Sequence, residues 1–408
     1  MRAMGLQLLL TIVLLAGRAA SETFQLALFE LAGTEGQLNL NAITLALESA
    51  NQLLAPNDEL VLAASPPDAC NATADFEQAL ALDTSNITVR ACLFPAATVP
   101  SFAQAVIGPQ CSASFIATSQ YFGQHSIPSL SFASSDPALF NASVFPSALM
   151  LFPSDDLQTG AMRELVRSFG WQRLAILATN EAYGSAGAAR LHELLLQPPL
   201  NVTIFPTPLF AQASAVADLL PTLRALKRSN IRLLLVFAHA EFVPVLLEAA
   251  YQAGLYGPGY VYLMSDGAGA ADPYELISDA AIAAVAEGSL ALRPAPALDS
   301  FEQVRYLQTY ARARFPQGAT PGPSAPFIHD AVLVVAHGVL AARQQTPTGP
   351  IARAQLMAAM RGVDFAGVSN AVIKFTGNSL PLHSYALLNV QSQDYVQVSC
   401  RFESSAEK

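Results

Sequence analysis

The sequence is short of charge. Only 13% of its 408 residues are charged, acidic residues outnumber basic ones by 31 to 21, and Lys and Arg form no cluster. Binding to a phosphate backbone rests on such clusters, so the composition argues against nucleic acid as a partner. Cysteine is equally sparse, with four residues, no Cys-x-x-Cys pair and no His-rich tract, so no metal site is implied. Catalytic signatures are missing too. There is no Gly-x-Ser-x-Gly elbow, and Ser185 in Tyr-Gly-Ser-Ala-Gly lacks that spacing. Gly267-Ala-Gly269 stops short of a dinucleotide loop. Asp155 and Asp156 sit side by side on one helix end, not facing each other across a cleft. These absences argue against an enzyme and against any cofactor. Past the N-terminus, no apolar run suits a bilayer span. Leu233-Leu-Leu-Val-Phe-Ala238 is bounded by Arg232 and His239, and Ala331-Val-Leu-Val-Val-Ala-His-Gly338 should break within two turns of helix.

What is present begins with residues 1–21: an early Arg, the run Leu6-Gln-Leu-Leu-Leu-Thr-Ile-Val-Leu-Leu-Ala, and small residues before Ser21. This reads as a secretory signal peptide. The roughly 385 residues that follow exceed one hydrophobic core, so two domains are expected. A 52% hydrophobic fraction argues for large buried sheets. In a secreted chain the four cysteines read as disulfides. Asn71-Ala-Thr, Asn86-Ile-Thr, Asn141-Ala-Ser and Asn201-Val-Thr are glycosylation sequons near expected loops or helix ends.

Apolar runs alternate with amphipathic ones. Strands are expected at 24–30, 59–63, 105–107, 129–132, 173–178, 201–205, 231–237 and 260–263. Helices are expected at 42–54, 74–82, 155–169, 185–196, 215–227 and 242–252. Such alternation implies parallel, doubly wound sheets. Pro- and Gly-rich breaks fall at 292–296 and 317–324, and the tail reads as three short strands. Two α/β lobes joined by a hinge place ligands at the carboxyl ends of strands, facing the cleft.

Several positions carry two readings. Ser112 and Ser114, after the Gly108-Pro109 turn, suit an anion at a helix N-terminus, and equally suit plain helix caps. Ser135 and Asp136 before Pro137 also fit a turn. Asp155 fits an N-cap region, Tyr183 before Gly184 fits a core position, and Asp266-Gly267 fits a bare turn. Trp171 reads as structural and His337 as a packed helix histidine.

Eight motifs, in order along the mature chain, carry a family resemblance. They are Ile107-Gly-Pro-Gln-Cys-Ser, Ile127-Pro-Ser-Leu-Ser-Phe-Ala-Ser-Ser, Phe152-Pro-Ser-Asp-Asp-Leu-Gln and Phe169-Gly-Trp-Gln-Arg-Leu-Ala-Ile, followed by Glu181-Ala-Tyr-Gly-Ser-Ala-Gly, Ser265-Asp-Gly, Asp330-Ala-Val-Leu-Val-Val-Ala-His-Gly and Phe365-Ala-Gly-Val-Ser…Phe375-Thr-Gly-Asn. The chain resembles the Venus-flytrap ligand-binding domain of class C G-protein-coupled receptors. Natriuretic-peptide receptors, ionotropic glutamate receptor amino-terminal domains and bacterial leucine-binding proteins share that periplasmic-binding-protein type 1 clamshell. The resemblance implies a first lobe over about 22–150 and 293–371 and a second over about 154–291 and 375–408. Three crossings, near 150–154, 292–296 and 370–375, would join them.

It also implies an amino-acid pocket. Ser112 and Ser135 would hold the ligand carboxylate, and Asp155, Tyr183 and Asp266 would surround its ammonium, with the tyrosine ring over it. Glutamate sensors of the family place basic residues where this chain has Asn39 (just before the first helix), Ser324 and Ala271, and a Trp where it has Ala268. The resemblance therefore implies a neutral side chain on the ligand. It further implies a Cys70–Cys111 disulfide, with Cys92 and Cys400 left unassigned. Dimerisation through the first lobe, with a like or unlike chain, follows as an expectation. So does an extracellular place, either secreted or on the outer face of a membrane as part of a longer receptor. Two rival readings stand beside this one. A solute-binding protein of transport shares the fold but not the sequons and receptor motifs. A ligand-less structural module would show no ligand-induced thermal stabilisation.

Overall fold

The computed structural model describes residues 22–28, 34–55, 58–64, 104–270, 279–295, 301–313, 323–381, 384–391 and 394–403. The expected signal peptide, the expected helix at 74–82, Cys70, Cys92, Asn71, Asn86 and Ala271 lie outside them.

The first sheet comprises β1 (Glu22–Leu28), β2 (Asp58–Ala64), β3 (Ala105–Ile107), β4 (Ser129–Ser131) and β5 (Ala148–Met150), with helices α1 (Thr34–Leu54) and α2 (Ser112–Gln124) between strands. Its order is β2-β1-β3-β4-β5 and every pairing is parallel. Neighbouring residues of β5 enter different cores. Leu149 joins the one built with Ala42 and Ile43 of α1, while Ala148 and Met150 join Phe115 of α2. Side chains alternate across a strand, so both faces of the sheet are buried.

The chain continues through α3 (Asp155–Ser168), β6 (Arg173–Thr179), α4 (Ala182–Leu195), β7 (Thr203–Phe205), β8 (Leu209–Phe210), α5 (Val216–Arg228), β9 (Leu233–Phe237), α6 (Val243–Ala253), β10 (Val261–Met264), α7 (Asp266–Gly269), α8 (Ala280–Ala286) and β11 (Leu290–Pro294). Then follow α9 (Phe301–Ala313), α10 (Ala325–Gln345), α11 (Arg353–Arg361), β12 (Asp364–Phe365), β13 (Ile373–Lys374), β14 (Ser384–Gln391) and β15 (Asp394–Glu403). The second sheet runs β15-β14-β11-β10-β9-β6-β7, with β8 also on β6. It repeats the two-faced logic. Ala175, Leu177, Leu234 and Val236 pack with α5 and α6, whereas Leu174, Ile176, Leu233 and Leu235 pack with α3 and α4. These are two doubly wound α/β units of the periplasmic-binding-protein type.

Four features differ from the sequence reading. First, α10 is unbroken for 21 residues. Gly338 is no helix stop, since a Cβ there would strike Met360 of α11, and close packing explains the glycine. Among the described residues, α10 is the helix long and apolar enough to cross a membrane, yet most of it is buried against the first sheet. Second, α1 begins at Thr34, so Asn39 lies inside the helix and not before it. Third, Leu290–Pro294 is a strand, parallel to β10 on one side and antiparallel to β14 on the other. Fourth, the expected tail strands β14 and β15 are present but pair antiparallel, adding an antiparallel edge to a sheet otherwise parallel.

Two stretches between the sheets are tied together. Met150, at the end of β5, donates its N–H to the Asn378 carbonyl at 2.7 Å, and Ser379 bridges Met150 in parallel.

The glycines of Tyr183-Gly-Ser-Ala-Gly187 let α4 lie against its sheet. A Cβ on Gly184 would meet Thr179, and one on Gly187 would enter the Phe237 ring. Gly187→Ala should therefore cost about 1–3 kcal/mol by overpacking. Denaturant titration checks this, with Gly170→Ala as a strained but uncrowded comparison.

Candidate functional site

The site is assembled from turns that follow strand ends. After β3, Gly108 takes φ 86°, a conformation only glycine adopts readily. The chain then enters α2 with Cys111 as N-cap and no side-chain cap bond. Ser112, 3% exposed, thus does not cap its own helix. Its Oγ instead accepts the N–H groups of Ser135 at 3.2 Å and Asp136 at 3.3 Å, which pins the turn after β4. Used as an acceptor, that hydroxyl donates to nothing among the described residues. Ser114 is buried and its Oγ has no partner. Asp136 behaves as the plainer reading had it, capping the 3-10 turn Pro137–Phe140 through the Ala138 N–H.

The Ser135 carbonyl accepts the Asp155 N–H at 2.9 Å, joining this turn to α3. There Ser154 is the N-cap, its Oγ accepting from Asp156 N. Capping therefore does not explain Asp155. The two adjacent aspartates part company: Asp156 is exposed and pairs with Arg190 at 2.7 Å, while Asp155 is fully buried. One Asp155 oxygen accepts weakly from Gln158 Nε2 at 3.4 Å; the other, Oδ2, has no hydrogen bond at normal distance, although the Ser135 hydroxyl is close enough to the carboxyl to work against the effect of burial.

Gln158, one helical turn on, carries the network to the second sheet by accepting the Asp266 N–H at 3.0 Å. Asp266 opens α7, which Ser265 caps, so Ser-Asp-Gly is a helix start and not a bare turn. Its Oδ1 accepts from Tyr183 OH at 2.5 Å and from Gly267 N at 2.7 Å, and its Oδ2 from Tyr385 OH at 2.8 Å. Gly267 permits the approach, since a Cβ would lie 2.8 Å from the Tyr183 ring. Tyr183 sits in the first turn of α4, which starts three residues before the expected Ser185 because Glu181 caps it through the Tyr183 and Gly184 N–H groups. The structure thus brings Ser112, Ser135, Asp155, Tyr183 and Asp266 into one continuous hydrogen-bonded chain from the first sheet to the second.

The electrostatics are lopsided. Burial, then the charge of Asp266, pushes the Asp155 carboxyl well above the ordinary carboxylate range; burial also raises Asp266, against its hydrogen bonds from Tyr183 and Tyr385. No Lys or Arg pairs with either carboxylate among the described residues. His239 stacks on Tyr183 at 5.0 Å between ring centres and feels the charge of Asp266. Two buried carboxylates sharing a site without a cation is a costly arrangement unless a proton or a bound cation joins them.

Gln158, Tyr385 and His239 escaped the sequence reading. Gln158 had a signal, being three residues from Asp155 on one helix face. Tyr385 had none, as it arrives on a strand 119 residues from its partner. Of the departures from glutamate sensors, Ala268 is buried in α7, and Ser324 precedes α10 without a side-chain cap bond. Cys111 is held in a disulfide. Asn141 and Asn201 are exposed. His337 stacks on Phe365 at 4.2 Å, and Trp171 on Phe169 at 4.7 Å.

Polar side chains from both doubly wound units thus converge in one network. The chain belongs to the receptor family ligand binding region, which it matches over residues 38–393. It is 27% identical over 154 residues to Taste receptor type 1 member 3 of Felis catus, covering 37% of this chain and 18% of that one. It is 30% identical over 176 residues to Metabotropic glutamate receptor-like protein E of Dictyostelium discoideum (40% and 20%). Against Metabotropic glutamate receptor 6 of Oryctolagus cuniculus it is 26% identical over 216 residues (51% and 23%). The matched stretches thus span about a fifth of those relatives. This family is a receptor ligand-binding region of the class C type and not an enzyme family.

Proposed function

We propose that the protein is an extracellular sensor that closes on a small α-amino acid with a neutral side chain. The observation that carries this is Asp155, a fully buried carboxylate with one unpartnered oxygen beside a second buried carboxylate. An ammonium would complete that acidic pair with charge-assisted hydrogen bonds. Tyr183 would present its ring and Asp266 its charge. The ligand carboxylate would take the Ser112 hydroxyl, the Ser135 region and the free N–H groups opening α2. A second carboxylate on the ligand would meet no Lys or Arg, and burying it unpaired costs several kcal/mol. In this reading Cys70 is the partner of Cys111, the four sequons carry glycans, and the two lobes of the stated boundaries close about the three crossings. A second chain, like or unlike, would pair through the first lobe, and a longer receptor would carry the signal onward.

The saturation of Asp266 by two tyrosine hydroxyls favours the rival reading, a module whose pocket closes on nothing. The unpartnered Asp155 oxygen opposes it. A thermal-shift screen of the mature protein against amino acids and simple amines separates them. Stabilisation by neutral α-amino acids, and less by glutamate and aspartate, is expected. No shift with any of them would leave only the structural module.

A further inference from the structure

We propose that His239 reads the ligand's side chain, and that it selects α-amino acids whose side chains end in an uncharged acceptor such as an amide or hydroxyl oxygen. The inference rests on the amino-acid reading above and deepens it.

Topology puts the imidazole there. In the second sheet β9 lies between β6 and β10, and all three run parallel. Ligands of such sheets sit beyond the carboxyl ends of the strands. Tyr183 follows the end of β6, Asp266 the end of β10, and His239 lies two residues past the end of β9, between them. The ring is oriented by its stack on Tyr183 (29° between planes) and by Glu181, whose Oε2 lies 3.6 Å from Nε2. Glu181 cannot swing away, because it is held by Thr179 Oγ1 at 2.7 Å and by two helix N–H groups. Unlike Asp266 and Tyr183, the His239 side chain keeps 27% of its surface open, and its Nδ1 has no hydrogen bond among the described residues.

Charge then decides what that nitrogen accepts as a partner. Burial disfavours the imidazolium, but the hydrogen bond and charge of Glu181, with Glu241 and Asp266 behind it, raise the His239 pKa. With Nε2 turned to Glu181, a proton taken up by the ring leaves Nδ1–H as the unengaged donor. Glu181 beside the ring, with the charges of Glu241 and Asp266 also acting on it, disfavours an incoming carboxylate, while an Nδ1–H serves a neutral oxygen.

The test measures affinities of matched pairs by calorimetry: threonine against valine, asparagine against leucine, glutamine against homoleucine. In the wild type the polar member of at least one pair should bind about tenfold or more tightly, as for a hydrogen bond to a charged donor. His239→Phe, which keeps the ring against Tyr183 and removes the donor, should bring that ratio within about twofold. Glu181→Gln should improve glutamate relative to glutamine by about tenfold, as expected when one opposing charge is removed. If His239→Phe fails to fold, the Glu181→Gln ratio decides. Wild-type binding without a polar preference, or a preference that survives His239→Phe, or a glutamate ratio unmoved in Glu181→Gln, overturns this inference and leaves the amino-acid reading intact. Failure of all six ligands to bind the wild type overturns both.

Discussion

Asp155→Asn should raise the melting temperature of the ligand-free protein and at the same time weaken ligand binding. Asp155 is buried without a cation, one oxygen is unpartnered, and its carboxyl is pushed well above the ordinary range by burial and by Asp266. Removing that charge should stabilise the empty protein by about 1–3 kcal/mol, the cost of an unsatisfied buried group. The ligand ammonium loses its partner by the same change, at about 2–5 kcal/mol of binding. The sign with pH follows. A carboxyl whose pKa is raised by folding holds its proton more tightly in the native state, so its stabilising contribution is complete below the ordinary carboxylate pKa and is lost as pH climbs through the raised one. The wild-type melting temperature should accordingly fall as pH rises above the ordinary carboxylate range, and the Asp155→Asn curve should be flatter. Ligand should cancel the fall in the wild type alone. A destabilised, pH-insensitive Asp155→Asn protein would show that the carboxylate has a structural partner and no ligand role.

Much of the fold was legible because two-faced burial leaves a plain trace: β9 is Leu-Leu-Leu-Val-Phe, apolar at every position. What was misread came from residues whose meaning depends on a distant surface. Gly338 looks like a helix stop until α11 is placed against it, and Pro294 like a break until β14 pairs with it. The same division holds at the site. Ser112, Asp155 and Asp266 stand beside local punctuation, a glycine turn or a helix cap, that marks a strand end. Tyr385 stands in an ordinary strand, and only tertiary structure brings it to Asp266. His239 was read as the residue that bounds a strand, which it is; that it stands between two site residues follows from the strand order, which no local pattern encodes.

Asp266→Ala should do the reverse of Asp155→Asn to the empty protein while sharing its effect on the ligand. The Asp266 carboxylate is saturated: Tyr183 and Tyr385 each donate a hydroxyl to it, and Gly267 an N–H. Truncation strands two buried hydroxyls, each worth about 1–3 kcal/mol when left unpaired. The melting temperature should therefore drop, and binding of an α-amino acid should weaken by about 2–4 kcal/mol through loss of the second carboxylate. Ser112→Ala, which leaves the acidic pair intact, should cost binding only about 1–2 kcal/mol. Tyr385→Phe tells the two roles of Asp266 apart. It removes one hydrogen bond to the carboxylate without removing charge, so stability should fall by about 1 kcal/mol while binding changes little. Because Tyr385 and Asp266 touch, their double variant should lose less stability than the sum of the singles. Calorimetry on the four proteins resolves the cycle. Asp266→Ala binding like the wild type would place the ammonium elsewhere and leave the tyrosine–aspartate cluster as a clasp between α4, α7 and β14.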